Sequence, residues 1–265
     1  MKQVTIKYLF ILLFAIPVIH LALSLTFKIS LEPLKGEIRY SVEPTFSMND
    51  WIEGKFQVEE EKYLEENISC RNLYVRLINQ IDYYLFNKAN VNGVIIGKHN
   101  FLFEESYIHS LKGVDFIGND LIDNQVLKMH FVQKELAKLH KHLIIVFAPN
   151  KARYYSDKIP EHYGTPLAET NYSYFKKRLS DFNLNLLDLN SYFVSAKDTC
   201  RIPLISKCSI HWSQYGAAVA ADSLCRLVAN LTSETTCNFT YTLNANNTAK
   251  DQDILDAMNL ICDIE

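Results

Sequence analysis

Three rhythms of hydrophobic and polar positions follow one another along the chain. Residues 8–27 are twenty positions without a Lys, Arg, Asp or Glu, long enough to cross a bilayer. Residues 56–66 read as an acidic helix, amphipathic at best, and residues 68–88 as a second helix that repeats apolar side chains at helical spacing, most regularly at Leu73, Leu77, Ile81 and Leu85. The segment between, with Pro33, Gly36 and Pro44, predicts an extended linker. Two short apolar runs around Gly97-Lys98-His99-Asn100 predict a hairpin over 94–103, with His99 as an ordinary turn residue. A helix to about His142 follows, with Asn119 or Asp120 as its N-cap.

Residues 143–148 are apolar throughout, which predicts a strand buried on both faces of a parallel sheet. A helix over roughly 170–182 and a second run over 184–189 complete a β-α-β unit. Functional groups of such sheets gather at the carboxyl ends of the strands. This places Pro149-Asn150-Lys151, the loop after Leu189 and the stretch Cys208-Ser209-Ile210-His211-Trp212-Ser213 near one edge. Residues 213–228 read as one Ala-rich helix, and the tail returns to helical spacing over 251–264, with Asp251 as a cap and Asp253 in the first turn. The predicted organisation is an anchor over 1–28, a linker over 29–55 and a domain over 56–265.

Composition narrows the class. The chain has 265 residues, 48% hydrophobic and 22% charged, which is globular and enough for one sizeable core. Its first 28 residues hold Lys2, Lys7 and Lys28 and no acid, so the remaining 24 basic side chains face 30 acidic ones. A mildly acidic exported portion argues against a nucleic-acid partner. Lys2 and Lys7 ahead of the apolar run hold the N-terminus in the cytoplasm. The expected location is the inner (cytoplasmic) membrane, single-pass, with the domain in the periplasm or outside the cell. Ala22-Leu23-Ser24 resembles a cleavage site, but the apolar run continues past it, and an uncleaved anchor is favoured.

The six cysteines suit an oxidising compartment, and none has the C-x-x-C spacing of a structural zinc site, so no metal or cofactor is expected. Cys200 and Cys208 flank the loop before His211; a bridge there would pin it, with buried thiols as the alternative. His211 is the candidate catalytic base. Taken alone, a histidine packed under the Trp212 indole is the plainer reading. Lys151 and Trp212 are the candidate substrate-binding residues, with an ordinary solvated lysine as the alternative at 151.

The anchor, the Val94-Ile95-Ile96-Gly97-Lys98-His99-Asn100-Phe101-Leu102-Phe103 hairpin, Ala148-Pro149-Asn150-Lys151 with Tyr154-Tyr155 and Ile159-Pro160 behind it, and His211-Trp212-Ser213 with Tyr215-Gly216 together resemble the alginate O-acetyltransferase group of SGNH-hydrolase-like proteins, the AlgX/AlgJ-like family. The resemblance implies an α/β, permuted SGNH-hydrolase-like three-layer domain. It also implies acetyl transfer to or from an exported polysaccharide by a Ser-His-Asp triad, alongside the envelope acetylation machinery. Gly118-Asn119-Asp120 resembles an oxyanion-hole block of that fold but is read here as a helix cap.

Two positions depart from the pattern. The family motif reads Asp-x-His-Trp, and Ser209 stands where the acid belongs; a triad acid orients the imidazole and stabilises its cation, so its loss costs rate. Asp188 and Asp198 are the candidates to approach the ring instead. The nucleophile of a later Gly-Asp-Ser block is also not found before Glu265, which predicts a C-terminally incomplete domain and an incomplete parallel sheet. Ala221-Asp222-Ser223 lies inside a helix, without the sharp turn that exposes a nucleophile. Two readings follow: an acetyltransferase or esterase relative inactive as this chain, or a noncatalytic membrane-anchored carbohydrate-binding or assembly subunit.

Overall fold

The computed structural model describes residues 6–8, 10–12, 14–16, 18–19, 32–36, 41–67, 71–165, 169–233, 242, 251–262 and 264. The apolar run over 8–27 therefore falls largely outside the described residues, as do Cys70, Cys237 and nearly all of the Thr- and Asn-rich stretch after Ser233. Residues 6–8, 10–12, 14–16 and 18–19 are helical, and among the described residues no helix is long and apolar enough to cross a membrane.

The chain divides into two compact units, residues 1–87 with 256–263, and residues 88–255 with 264–265. The first contains helices α1 (Met48–Ile52), α2 (Lys55–Asn67) and α3 (Arg71–Phe86). The two long helices match the predicted periodicity. α2 buries no residue at all, whereas α3 buries Asn79, Gln80 and Tyr83. The polar pair on α3 is spent on backbone: Asn79 Nδ2 donates to the Met258 carbonyl (2.8 Å), and Gln80 Oε1 accepts from the amides of Ile261 and Cys262 (2.9 Å each). The expected linker is not wholly extended. It forms α1, and the Lys35 amide donates to Asn259 Oδ1 at 2.7 Å while its ammonium meets Asp256 at 2.9 Å.

The second unit begins with the predicted hairpin. β1 (Val94–Ile96) and β2 (Leu102–Glu104) pair antiparallel with Ile95 opposite Phe103. His99 (φ 56°) and Asn100 (φ 60°) turn the chain in the left-handed region, the position Asn tolerates best after Gly. Gly97 is required for a different reason: a Cβ there would lie 2.5 Å from the Lys158 carbonyl oxygen. Helix α4 (Glu105–Lys112) follows and stops at Gly113, whose φ of 79° closes a left-handed cap.

Helix α5 runs over Asn119–Lys138. Its N-cap is Gly118, with no side-chain cap bond, so Asn119 is the first helical residue and not the predicted cap; the helix also ends four residues before His142. β3 (Ile145–Phe147) and β4 (Leu186–Asp188) pair in parallel, with α7 (Asn171–Asp181) between them in sequence, as the β-α-β reading required. Thr170 and Ser173 close a reciprocal capping box at the start of α7. The expectation of a strand buried on both faces fails at Val146, which is 41% exposed. Among the described residues β3 has β4 as its single neighbour, so apolar continuity here marks a short strand with one covered face.

Among the described residues, two apolar clusters lie within this unit. Ile122 and Val126 of α5 pack with Leu179 of α7 and Leu184. The larger cluster joins Phe103, Ile108, Tyr155, Phe193, Leu204 and Val219, drawing on the hairpin, α4, α6 (Lys151–Tyr154), α8 (Leu189–Ala196) and α9 (Gln214–Thr232). The tail is shorter than predicted: α10 covers Asp253–Ala257, and residues 251–252 precede it as irregular chain.

Candidate functional site

The loop carrying His211 is held from several sides before any chemistry is considered. Ile205 and Trp212 form an isolated antiparallel bridge, and the Ser213 amide donates to the Leu204 carbonyl at 3.0 Å. Ser213 Oγ caps α9 by accepting from the Gly216 amide (3.0 Å) and itself donates to the Pro203 carbonyl (2.7 Å). Gly216 then passes so close that a Cβ would sit 2.1 Å from the Leu204 oxygen, so only glycine allows the helix start to seat on this loop. Tyr155 adds a 2.8 Å bond from its hydroxyl to the Ile205 carbonyl. The Trp212 ring meets Phe193 edge-on at 5.8 Å and packs against the larger cluster.

Lys151 is the central brace. It is 1% exposed, and its ammonium donates to the carbonyls of Lys207 (2.8 Å) and Ser209 (2.6 Å). The Lys207 carbonyl also accepts from the Leu102 amide at 3.1 Å, which ties the same loop to the hairpin. Burial lowers the Lys151 pKa to about 7, against a smaller opposing pull from Cys208 and Asp253. The side chain considered as a substrate contact thus has its head inside the domain, bonded to the loop that ends in His211. No disulfide joins Cys200 and Cys208, and the loop is pinned by this lysine instead.

Ser209, at the position of the family's acid, is 2% exposed and accepts from the His211 amide at 3.0 Å. It shapes the backbone, and its hydroxyl is not hydrogen-bonded to the ring. The carboxylate near His211 comes from the tail: Asp253 Oδ2 lies 3.4 Å from His211 Nε2. Asp253 Oδ1 accepts from the Ile210 amide (2.9 Å), Leu255 N donates to the Cys208 carbonyl (3.2 Å), and Ser206 Oγ donates to the Asp251 carbonyl (2.5 Å). Asp188, a candidate for this role, is engaged elsewhere. Its carboxylate meets the Lys176 ammonium (2.6 Å), the Tyr172 hydroxyl (2.8 Å) and the Ser191 amide (2.9 Å). Burial works to raise its pKa, but these donors hold it below the ordinary range. Asp198 makes no ion pair with His211.

The predicted meeting of three segments at the strand ends is borne out by two bonds. The Asn150 amide donates to Asn190 Oδ1 at 3.1 Å, joining the loop after β3 to the start of α8, and Lys151 joins the same loop to Ser209. Beside this junction lies a cleft of about 350 Å³, lined by Tyr107, Phe147, Asn150, Arg153, Tyr172 and Asn190 among others. The Arg153 guanidinium stacks on the Tyr172 ring at 4.4 Å. Burial, then the charges of Glu104 and Asp253, push the Tyr107 phenol up. His211, Trp212 and Lys151 do not themselves line the cleft.

Ser223 donates to the Val219 carbonyl (2.8 Å) within α9, as expected of a mid-helix serine. Among the described residues, no hydroxyl or thiol is hydrogen-bonded to the His211 ring. Residues 94–264 match the family described as an SGNH hydrolase-like domain, acetyltransferase AlgX. The chain belongs to this family. It is 29% identical over 196 residues to a probable alginate O-acetylase AlgJ of Azotobacter vinelandii, covering 74% of this chain and 48% of that protein. It is 28% identical over 173 residues to the Pseudomonas aeruginosa protein of the same description, covering 65% and 42%. A solved O-acetyltransferase domain of Pseudomonas putida AlgJ aligns with a TM-score of 0.47 at 22% identity, covering 62% of this chain and 58% of that one. The chain spans about half the length of the curated relatives it matches.

The tail carboxylate, Arg153 and Asn190 were not singled out from the sequence. Asp253 had only its place in a helix's first turn as a signal. Arg153 and Asn190 each follow closely on a strand end, which is the signal that locates them in retrospect.

Proposed function

We propose that this chain serves the O-acetylation of an exported cell-envelope polysaccharide, with His211 as the residue of the acyl-transfer site that it contributes. The observation that carries the reading is the exposed imidazole of a family member, held on a loop that Lys151, Tyr155 and Ser213 brace from three sides. The probable alginate O-acetylases to which the chain is similar support the choice of reaction. Residues 8–27 act as a single-pass inner-membrane anchor, and the domain lies in the periplasm or outside the cell. The apolar side chains described there, such as Phe14 at 70% exposure, suit a lipid environment.

These 265 residues alone have little or no acyl-transfer activity on this reading. Acyl transfer needs a nucleophile within hydrogen-bond reach of its base. Here the Nε2 nitrogen, which in a Ser-His-Asp arrangement faces the serine, lies toward Asp253. The test is hydrolysis of a chromogenic acetyl ester by the purified protein and by His211→Ala. Equal, background-level rates are expected. Turnover abolished in the variant would overturn the inactive reading and make His211 a working base.

The second reading, a noncatalytic membrane-anchored carbohydrate-binding or assembly subunit, is favoured by the aromatic-walled cleft at the strand ends, which needs no nucleophile to be useful.

A further inference from the structure

Helix α2 stands in the first unit with none of its side chains buried, although it carries Phe56, Val58 and Leu64. A helix of this length is marginal in water without a packed face, so its apolar residues call for a covering surface. One such face is already shaped. Residues 57, 60, 61, 64 and 65 fall on one side of the helix and, with Trp51 and Phe56, line a groove of about 520 Å³. Phe46 joins the two rings there: it lies 5.3 Å from Phe56 and 5.9 Å from Trp51, which in turn lie 5.9 Å apart. Gln57 Nε2 donates to the Trp51 carbonyl at 2.9 Å and ties α2 to α1 beside these rings. The floor is nonetheless open to solvent, with Trp51 48% and Leu64 57% exposed.

The rim selects what can cover it. Glu60, Glu61 and Glu65 border the apolar floor, and among the described residues none of the three is in an ion pair. Lys55 is turned to Asp50 (3.7 Å) and Glu59 (3.9 Å), and Glu66 accepts from the Ser41 amide. Glu61 and Glu65 stand four residues apart, a like-charge spacing that destabilises a helix until a cation comes between them. A second copy of this chain would set the same carboxylates against these, and an anionic bilayer or a nucleic acid would bring its own negative charge. A partner with Lys or Arg flanking an apolar stripe relieves the repulsion and covers the rings at once.

We infer that this groove is the docking site of a basic amphipathic helix from another protein, whose apolar side chains seat on Trp51, Phe56 and Leu64 while its cations reach Glu60, Glu61 and Glu65. The groove belongs to the first unit and needs nothing from the His211 loop of the second, so it recruits its partner whether or not this chain turns over an acetyl ester.

The test is a fluorescence titration of the full chain in neutral detergent with two tryptophan-free peptides of one amphipathic helical pattern, leucine with lysine and leucine with glutamate. The lysine peptide is expected to bind at least about tenfold more tightly and to move the Trp51 emission, isolated by difference against Trp51→Phe, to shorter wavelength. The variant carrying Glu60→Lys, Glu61→Lys and Glu65→Lys should reverse the preference, an exchange that neither peptide binding to detergent nor a misfolded chain produces. Binding of neither peptide to the parent, equal binding of the two, or a lysine preference that survives in the triple variant would each overturn the docking site. Two further results would assign the groove to another occupant and overturn it as well. One is a concentration-dependent dimer, seen by sedimentation, that Trp51→Ala breaks. The other is a Trp51 emission already at its shifted position in zwitterionic vesicles without peptide.

Discussion

Asp253 reaches His211 with one carboxylate oxygen, 3.4 Å from Nε2, while its other oxygen accepts from the Ile210 amide at 2.9 Å. The imidazole side chain is 79% exposed and the carboxylate 42%, so solvent screens the ion pair, and its share of stability is about 0–1 kcal/mol at most. The backbone bond is the firmer half of the contact. Asp253→Ala is therefore expected to shift the melting temperature little but to speed amide exchange at Ile210 and Leu255. Asp253→Asn, which keeps an acceptor oxygen, should retain most of the protection. Equal exchange in the alanine variant and the parent would show that the tail does not depend on this side chain.

Lys151 gives the protein a pH dependence of defined sign. Unfolded, the lysine keeps its proton to about its ordinary value of 10.5; folded, burial brings that down to about 7. Between these values the unfolded chain binds more protons, so stability rises as pH increases from about 7 toward 10. The full span is on the order of 5 kcal/mol. Above pH 10 the gain is opposed by tyrosines whose pKa burial has raised, Tyr163 to about 12 among them, because their contribution is lost as the unfolded phenols ionise. Chemical denaturation across pH 6.5–10 should show the rise, and Lys151→Met should flatten it. A slope surviving in that variant would assign the effect elsewhere. Near pH 6.5 the methionine loses two bonds to buried carbonyls but also removes a buried charge, so its net cost there should stay within about 1–3 kcal/mol.

The seat of α9 should be intolerant of a single methyl group. A Cβ at Gly216 would meet the Leu204 oxygen at 2.1 Å, and that oxygen cannot retreat without breaking its bond from the Ser213 amide. Gly216→Ala is expected to cost about 1–3 kcal/mol or more in urea unfolding. Ser213→Ala, which loses the cap and the Pro203 bond, should cost about 1–2 kcal/mol. A neutral Gly216→Ala would mean that the loop gives way more easily than its bonds suggest.

Periodicity made the elements legible and left the contacts between distant segments illegible. The hairpin, α7 and α9 each announce themselves through local alternation, turn residues or a capping Thr or Ser. The meeting of the Asn150–Lys151 turn with the His211 loop was also legible, because strand ends in a parallel sheet share an edge. What Lys151 does there was not. Nothing in its neighbours distinguishes a lysine that snorkels to solvent from one whose head finds two carbonyls inside. Asp253 was hidden for a related reason: a carboxylate in the first turn of a helix has a sufficient local explanation. The same continuity of apolar residues that located β3 overstated its burial, since an apolar run reports on neither face separately.

The bonds around His211 follow an order in time as well as in space. Lys151 leaves the ribosome before the carbonyls of Lys207 and Ser209 that it will hold, so the brace waits for its load. Asp253 comes last of all. A nascent chain, made N-terminus first, can assemble the hairpin, the brace and the imidazole in succession. The imidazole spends that interval without its carboxylate, and the Ile210 amide without the acceptor that fixes the loop beside it.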